Sequence, residues 1–103
     1  MSKALDLSLF VKQTLDITMP DGEKYHIKKP TQKSVIQLMA LKDVKEDKAL
    51  EAMDELTYII MNSNTEGKEF SKDELDSLLD WTMKTAIIRA YSDFINELQA
   101  DPN

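Results

Sequence analysis

Two short alternating runs flank a turn in the stretch Thr14-Leu-Asp-Ile-Thr-Met-Pro-Asp-Gly-Glu-Lys-Tyr-His-Ile-Lys28. Apolar and polar residues alternate on each side of the Pro-Asp-Gly turn, which is the pattern of a half-buried β-strand. Proline fixes φ at the first central position of a type I turn, and Gly22 supplies the left-handed residue of the bulge that follows it. The stretch therefore predicts a β-hairpin over residues 14–28.

The turn also fixes the register of the predicted strands. If Met19 lies opposite Glu23, residues of one parity share the packed side and residues of the other parity face water. The packed side then carries the pairs Ile17 with Tyr25 and Leu15 with Ile27, and the solvent side carries Asp16, Thr18, Lys24 and His26.

Two amphipathic helices are predicted after the hairpin. Pro30 disfavours helix at the residue before it, and Thr31 is a good N-cap for a helix to about residue 42 or 44. Residues 43–48 form a charged connector, a second helix ends near Met61, and residues 62–67 have the composition of a loop. The first helix presents Val35, Ile36, Leu38, Met39 and Leu41, and the second presents Leu50, Met53, Leu56, Ile59 and Ile60.

The clearest helix start lies at Ser71. Ser71 and Glu74 have the spacing of a capping box, and Phe70 and Leu75 have that of a hydrophobic staple. The apolar pattern of this helix begins at Leu75 and resumes from Met83 to Leu98, with a possible break at residues 80–82. One long helix and two helices both fit this pattern.

These elements define one domain over residues 1–103, with an α+β, mostly α fold. A β-hairpin precedes three or four amphipathic helices. The expected parts are an N-terminal arm (1–13), the hairpin (14–28), a helical region (31–99) and a frayed tail (100–103).

The composition argues against common enzyme classes. The chain has 103 residues, of which 42% are apolar and 31% charged, and it lacks cysteine. A domain of this size has little interior left for a catalytic cleft, and thiolate metal sites are impossible. With only Gly22 and Gly67, neither a P-loop nor a dinucleotide-binding fingerprint can form.

The ionisable residues support the same expectation. His26 is the only histidine, and its predicted neighbour Asp16 lies on the solvent side of the hairpin with no nucleophile beside it. The paired carboxylates fall on outer helix faces or near a helix N-terminus, where negative charge is favourable. We therefore expect a protein that is not an enzyme, with no cofactor and no catalytic, cofactor-binding or metal-binding residue.

The charge is divided unevenly along the chain. The formal net charge is −6, which argues against nucleic acid and anionic membranes as partners. Residues 1–45 carry eight Lys against five Asp and Glu, a formal charge of +3, while residues 46–103 carry −9. Opposite charge at the two ends favours head-to-tail self-association into rings or spirals. The predicted basic surface for this contact comprises Lys24, Lys28, Lys29 and Lys33.

The same residues are compatible with two further binding functions. The basic hairpin is also compatible with a small adaptor or regulatory domain that binds nucleic acid. At the other end of the chain, Tyr91, Phe94, Ile95 and Leu98 form an apolar stripe on the last helix. Such a stripe is either core or, where a thin core leaves it uncovered, a docking groove for another helix. We take these four residues as the candidate groove for a client protein.

The order of these parts resembles the tail assembly chaperones of long-tailed bacteriophages. The resemblance runs from about Leu5 to Leu98. It is carried by a leucine-bearing arm, Leu5-Asp-Leu-Ser-Leu-Phe10, a hairpin containing Leu15-Asp-Ile-Thr-Met-Pro-Asp-Gly22, the helix entry Ile27-Lys-Lys-Pro-Thr31 and a Ser71-capped C-terminal helical region.

The resemblance implies a non-enzymatic function. Such chaperones coat the long, largely helical and apolar tape measure protein until tail tube subunits polymerise around it, and they are absent from the finished virion. They often self-associate, and the family has no invariant catalytic residues. We accordingly expect the tape measure protein as partner and the host bacterial cytoplasm as location. The absence of a signal-peptide pattern and of a long apolar run fits this expectation.

Overall fold

A computed structural model of the chain describes Leu5 and residues 13–100. The predicted N-terminal arm, apart from Leu5 and Gln13, and residues 101–103 of the predicted tail lie outside the described residues. The elements follow the order of the sequence: β1 (Thr14–Thr18), β2 (Lys24–Lys28), α1 (Gln32–Ala40), a 3₁₀ turn (Leu41–Asp43), α2 (Glu46–Met61), α3 (Lys72–Leu78) and α4 (Trp81–Ala100). The predicted α+β, mostly α fold is confirmed.

The hairpin forms in the predicted register. β1 and β2 pair antiparallel, with Leu15 opposite Ile27 and Ile17 opposite Tyr25. At the turn, the backbone N–H of Gly22 donates to the carbonyl oxygen of Met19 at 2.8 Å. Gly22 has a φ of 91°, which costs little without a Cβ atom. The turn chemistry and the alternation together account for this part of the fold.

Side-chain caps define where three helices begin. The hydroxyl of Thr31 accepts a hydrogen bond from the backbone N–H of Ser34, and the hydroxyl of Ser71 accepts one from the backbone N–H of Glu74. The C-terminal region is two helices because Leu79 adopts an extended conformation. Asp80 then caps α4 by accepting from the backbone N–H of Met83 at 2.9 Å.

The predicted start of the second helix is wrong, and three side chains from the predicted apolar helix faces are exposed. α2 begins at Glu46, so residues 46–48 are helical rather than part of a connector, as expected for acidic residues in a first turn. On α1, Ile36 and Met39 are 58% and 63% exposed, as Leu50 of α2 is at 63%. On α1, Val35 and Leu38 pack against the core, so Ile36 and Met39 lie on the outer side of the helix.

The core lies between α2, α4 and the inner side of the hairpin. Its fully buried members come from all three, with the Tyr91 ring from α4 as the largest. Burial of large apolar side chains such as these is the main stabilising contribution in a domain of this size. None of the helices in the described range is both long and apolar enough to cross a bilayer. The core side chains below 2% exposure are Tyr91, Ile27, Ile60, Met61 and Thr57.

Residues 62–67 hold the hairpin against the helices. Asn64, which is 4% exposed, donates to the carbonyls of Met61 and Lys68 at 2.7 and 2.8 Å and accepts from the backbone N–H of Lys68 at 2.9 Å. Its backbone forms a bridge with Ile27 of β2. The backbone N–H of Thr65 donates to the carbonyl of His26 at 2.8 Å. The outer edge of β2 is thereby paired with the segment that follows α2.

A buried lysine joins the three C-terminal helices. The side chain of Lys84 in α4 is only 9% exposed, and its ammonium group lies 2.8 Å from the carboxylate of Asp54 in α2 and also contacts that of Asp76 in α3. Burial lowers the pKa of Lys84, but the hydrogen bonds to the two carboxylates outweigh it and the pKa is raised. Both partners are partly solvated, which limits the desolvation cost of the cluster.

We expect the substitution Asn64→Ala to lower the free energy of unfolding by about 2–3 kcal/mol, because it removes the partners of several backbone groups in a tight loop. Urea denaturation followed by circular dichroism measures this loss. Asn96→Ala is the matched control, since Asn96 is exposed on α4 and alanine favours a helix. Equal effects of the two substitutions would contradict the structural function assigned to Asn64.

Candidate protein-binding site

The predicted client stripe is covered within the protomer. Tyr91 is fully buried and Phe94 and Ile95 are each 8% exposed, while Leu98 is half-buried. Burial raises the pKa of the Tyr91 hydroxyl, which lies beside Ser34. The expectation of an open groove is therefore wrong for Tyr91, Phe94 and Ile95, whereas Leu98 is only partly covered and, with Phe94, lines a separate groove beside β1. The hairpin and α2 cover α4 more completely than its terminal position suggested.

An apolar groove lies instead on another side of α4, between that helix and the hairpin. It has a volume of about 380 Å³. We call it the hairpin groove. Of its lining side chains, Asp16 alone is ionisable, and the remainder are apolar apart from Thr18. The apolar lining comprises Ile17, Met19, Pro20, Leu79, Met83, Ala86, Ile87 and Ala90.

The helical repeat explains how α4 forms one wall of this groove. Met83, Ala86 and Ala90 lie three and four residues apart, so they share one face of the helix. Ala86 and Ala90 have small side chains, which leaves space above the helix and lets another backbone approach closely. Met83 is 39% exposed and has a flexible thioether side chain that adapts to varied partners.

A second groove separates α1 from α4, and its rim is charged. It has a volume of about 550 Å³, and Val35, Leu38 and Ile95 contribute to its apolar lining. Ile95 is the one residue of the predicted stripe that lines it. The rim carries Lys42 and Arg89 together with Asp93. We call it the α1–α4 groove; the two grooves thus differ mainly in charge.

The predicted basic surface is interrupted by acidic groups. Lys24, Lys28 and Lys33 are exposed, whereas Lys29 is half-buried. His26 lies between Lys24 and Lys28 on the solvent side of β2, and its ring contacts two carboxylates. Its Nδ1 atom is 2.6 Å from the carboxylate of Glu66 and its Nε2 atom is 3.8 Å from that of Asp16.

Hydrogen bonding shifts the pKa values of this pair in opposite directions. The carboxylate of Glu66 accepts from the backbone N–H of His26 at 2.9 Å and also contacts the His26 ring. These two bonds, with the backbone bond the larger influence, lower the pKa of Glu66 from 4.5 to about 2. The bond to Glu66 raises the pKa of His26 above its usual value of 6.5.

Sequence reasoning placed Asp16 beside His26 but missed Glu66, Lys84 and the hairpin groove. Glu66 is 40 residues from His26, and nothing in local spacing connects them. Lys84 had a detectable signal, because it lies seven residues before Tyr91 on the buried face of α4. Among the described residues, no group of His, Asp or Glu side chains is arranged to hold a metal ion.

Comparisons of the chain with models of protein families, with curated proteins and with solved structures find no match. Function is therefore inferred from the chemistry of these surfaces.

The His26–Glu66 pair predicts a pH dependence of stability. The contribution of His26 is fully present below pH 6.5 and is lost as pH rises through its raised pKa. The contribution of Glu66 is present above pH 4.5 and is lost as pH falls towards 2. The pair therefore stabilises the fold most between pH 4.5 and 6.5.

We expect an NMR titration of the single histidine to give a pKa above 6.5. Glu66→Gln should lower that pKa, because it removes the charged acceptor. Glu69→Gln is the control, since Glu69 is exposed in the same connection and the described structure shows no ion pair for it. A histidine pKa that is unaffected by Glu66→Gln would contradict the assigned contact.

Proposed function

We propose that this chain is a non-enzymatic phage tail assembly chaperone that binds and solubilises the tape measure protein in the host cytoplasm. In this proposal it acts as a self-associating oligomer, either a ring or a spiral, and is absent from the mature virion. The observation that carries the client-binding part is the hairpin groove, an apolar cleft whose lining includes one ionisable side chain.

The chemistry of the hairpin groove suits an apolar helix. A client side chain that enters it loses contact with water and meets Ile17, Leu79 and Ile87, a gain of roughly 25 cal/mol per Å² of apolar surface. A charged side chain would lose its hydration there with no partner in the groove except Asp16, which disfavours acidic clients. An apolar helix of the tape measure protein would bury apolar side chains in the groove and would bring no charged side chain into it.

The geometry of α4 supports helix docking. Ala86 and Ala90 are one turn apart on the groove face and project little beyond the backbone. An incoming helix can therefore pack close to α4, with its apolar side chains directed towards the hairpin. The walls provided by Met19 and Met83 adjust to different side chains, as a chaperone that coats a long and varied client requires.

The nucleic-acid alternative is less well supported by the geometry of the hairpin. Lys24 and Lys28 share their exposed face with Asp16, and Glu66 pairs with His26 between them. These carboxylates reduce the positive potential that a phosphate backbone would experience. The tape measure protein therefore remains the preferred partner.

Ala86→Glu tests the client site directly. We expect it to weaken capture of a purified tape measure fragment from the same genome by at least about tenfold, about 1.4 kcal/mol, because it places an unpaired carboxylate in the apolar cleft. Ala86 is exposed and helical, so far-UV circular dichroism and the unfolding midpoint should stay close to those of the wild type. Fluorescence anisotropy of the labelled fragment measures the affinity.

Ser77→Glu is the matched control. Ser77 is exposed on α3 and does not line the hairpin groove, so the same added charge should leave capture unchanged. Undiminished capture by Ala86→Glu would place the client elsewhere on the protein. Failure of the wild-type protein to bind any segment of the tape measure protein would overturn the proposed function.

A further inference from the structure

Three large apolar side chains remain exposed on the outer faces of two consecutive helices. Ile36 and Met39 of α1 are 58% and 63% exposed, and Leu50 of α2 is 63% exposed. Isolated exposed apolar residues are common on monomers. These three residues differ from isolated exposed residues because charged side chains surround them. The charges are mainly basic near Ile36 and Met39 on α1 and acidic near Leu50 on α2.

The α1 patch consists of Ile36 and Met39, and its charged neighbours are mainly basic, with Asp43 four residues after Met39 as an acidic one. Lys33 precedes Ile36 by three residues and therefore lies on the adjoining face of the helix. Met39 lines the α1–α4 groove, where Lys42 and Arg89 form part of the rim. Within the described part of the chain, Lys33, Lys42 and Arg89 form no ion pair. Asp93 is the acidic side chain of this groove.

The α2 patch consists of Leu50 with acidic neighbours. Glu46 and Asp47 lie four and three residues before Leu50, so they border it on the helix surface. Neither forms an ion pair in the described range. Asp54 borders Leu50 on the following turn, and Lys84 binds it. The apolar side chain thus lies within a largely unneutralised acidic surface.

The two patches complement each other in apolar surface and in charge. Contact would bury Leu50 against Ile36 and Met39 and would bring Glu46 and Asp47 towards the basic rim. Burial of an exposed leucine or isoleucine is favourable, and complementary charge adds orientation and partner choice. The hairpin groove lacks basic side chains and offers an acidic partner no such complement.

We infer that the α2 patch of one copy docks on the α1 patch of a second copy. The two surfaces are different, so the contact is heterologous: one copy is left with an unused α1 patch and the other with an unused α2 patch. Repetition of such a contact closes a ring or extends a spiral. The inference extends the self-association part of the proposed function and moves the interface from Lys24, Lys28 and Lys29 to the part of the predicted basic surface on α1, where Lys33 lies. It leaves the hairpin groove accessible to the client.

Two substitutions at exposed positions separate the two patches. Ile36→Asp places an acidic group in the basic patch, and Leu50→Lys places a basic group in the acidic patch. Each should abolish the concentration-dependent oligomers of the wild type in sedimentation velocity at about 0.1 M salt, where the Debye length is about 10 Å. Because both side chains are exposed, circular dichroism should show native helicity.

Mixing the two variants is the decisive measurement. The Ile36→Asp copy retains an intact α2 patch and the Leu50→Lys copy an intact α1 patch. An equimolar mixture should therefore regain association through the intact pair of patches and form at least a heterodimer of twice the protomer mass. At about 1 M salt, where the Debye length is about 3 Å, the heterodimer should weaken. A mixture that stays monomeric would overturn the proposed pairing.

Two further results complete the test. The double variant Lys24→Glu, Lys28→Glu should form the same oligomers as the wild type. Loss of oligomers in this variant would show that the interface includes the hairpin. A wild-type protein that is monomeric at every concentration would also overturn the inference. The purified monomeric variants should still capture the tape measure fragment, so failure of self-association is distinguishable from failure of the client site.

Discussion

The pairing of the hairpin with the segment after α2 is the constraint on which the described structure depends. An isolated two-stranded hairpin is at best marginally stable in water, and here residues 63–65 bind the outer edge of β2. Asn64 holds that segment in place through hydrogen bonds to Met61 and Lys68. The hairpin can then present Met19 and Ile27 to the core, and its contact with α4 creates the hairpin groove.

The charges of the described chain divide into paired and unpaired sets with different consequences. Lys84 is buried and joins α2, α3 and α4 through Asp54 and Asp76. It fixes the relative positions of the three helices more than it adds to the free energy of unfolding, because burying charges is costly. The exposed His26–Glu66 pair attaches residues 62–67 to the hairpin and makes that attachment sensitive to pH. Other charges of the described chain form no ion pair and lie near exposed apolar side chains, where they can steer association; they are Lys33, Lys42, Arg89, Glu46 and Asp47.

The two grooves beside α4 offer different chemistry to a partner. The hairpin groove is apolar and lined by small and flexible side chains, which favours an apolar helix. The α1–α4 groove has a partly basic rim and adjoins the exposed Ile36 and Met39, which favours an acidic partner. A chaperone that must coat a client and bind its own copies needs separate surfaces for the two contacts. These two grooves supply them in the proposed function.

The sequence by itself determined the local structure, because short-range chemistry controls it. The Pro-Asp-Gly turn set the hairpin register, and Thr31 and Ser71 set helix starts. Tertiary structure alone decided which apolar faces were covered: Tyr91, Phe94 and Ile95 became core, while Ile36, Met39 and Leu50 stayed exposed. Periodicity identifies an apolar face but not the element that covers it. That outcome depends on contacts between segments distant in sequence, as between Glu66 and His26.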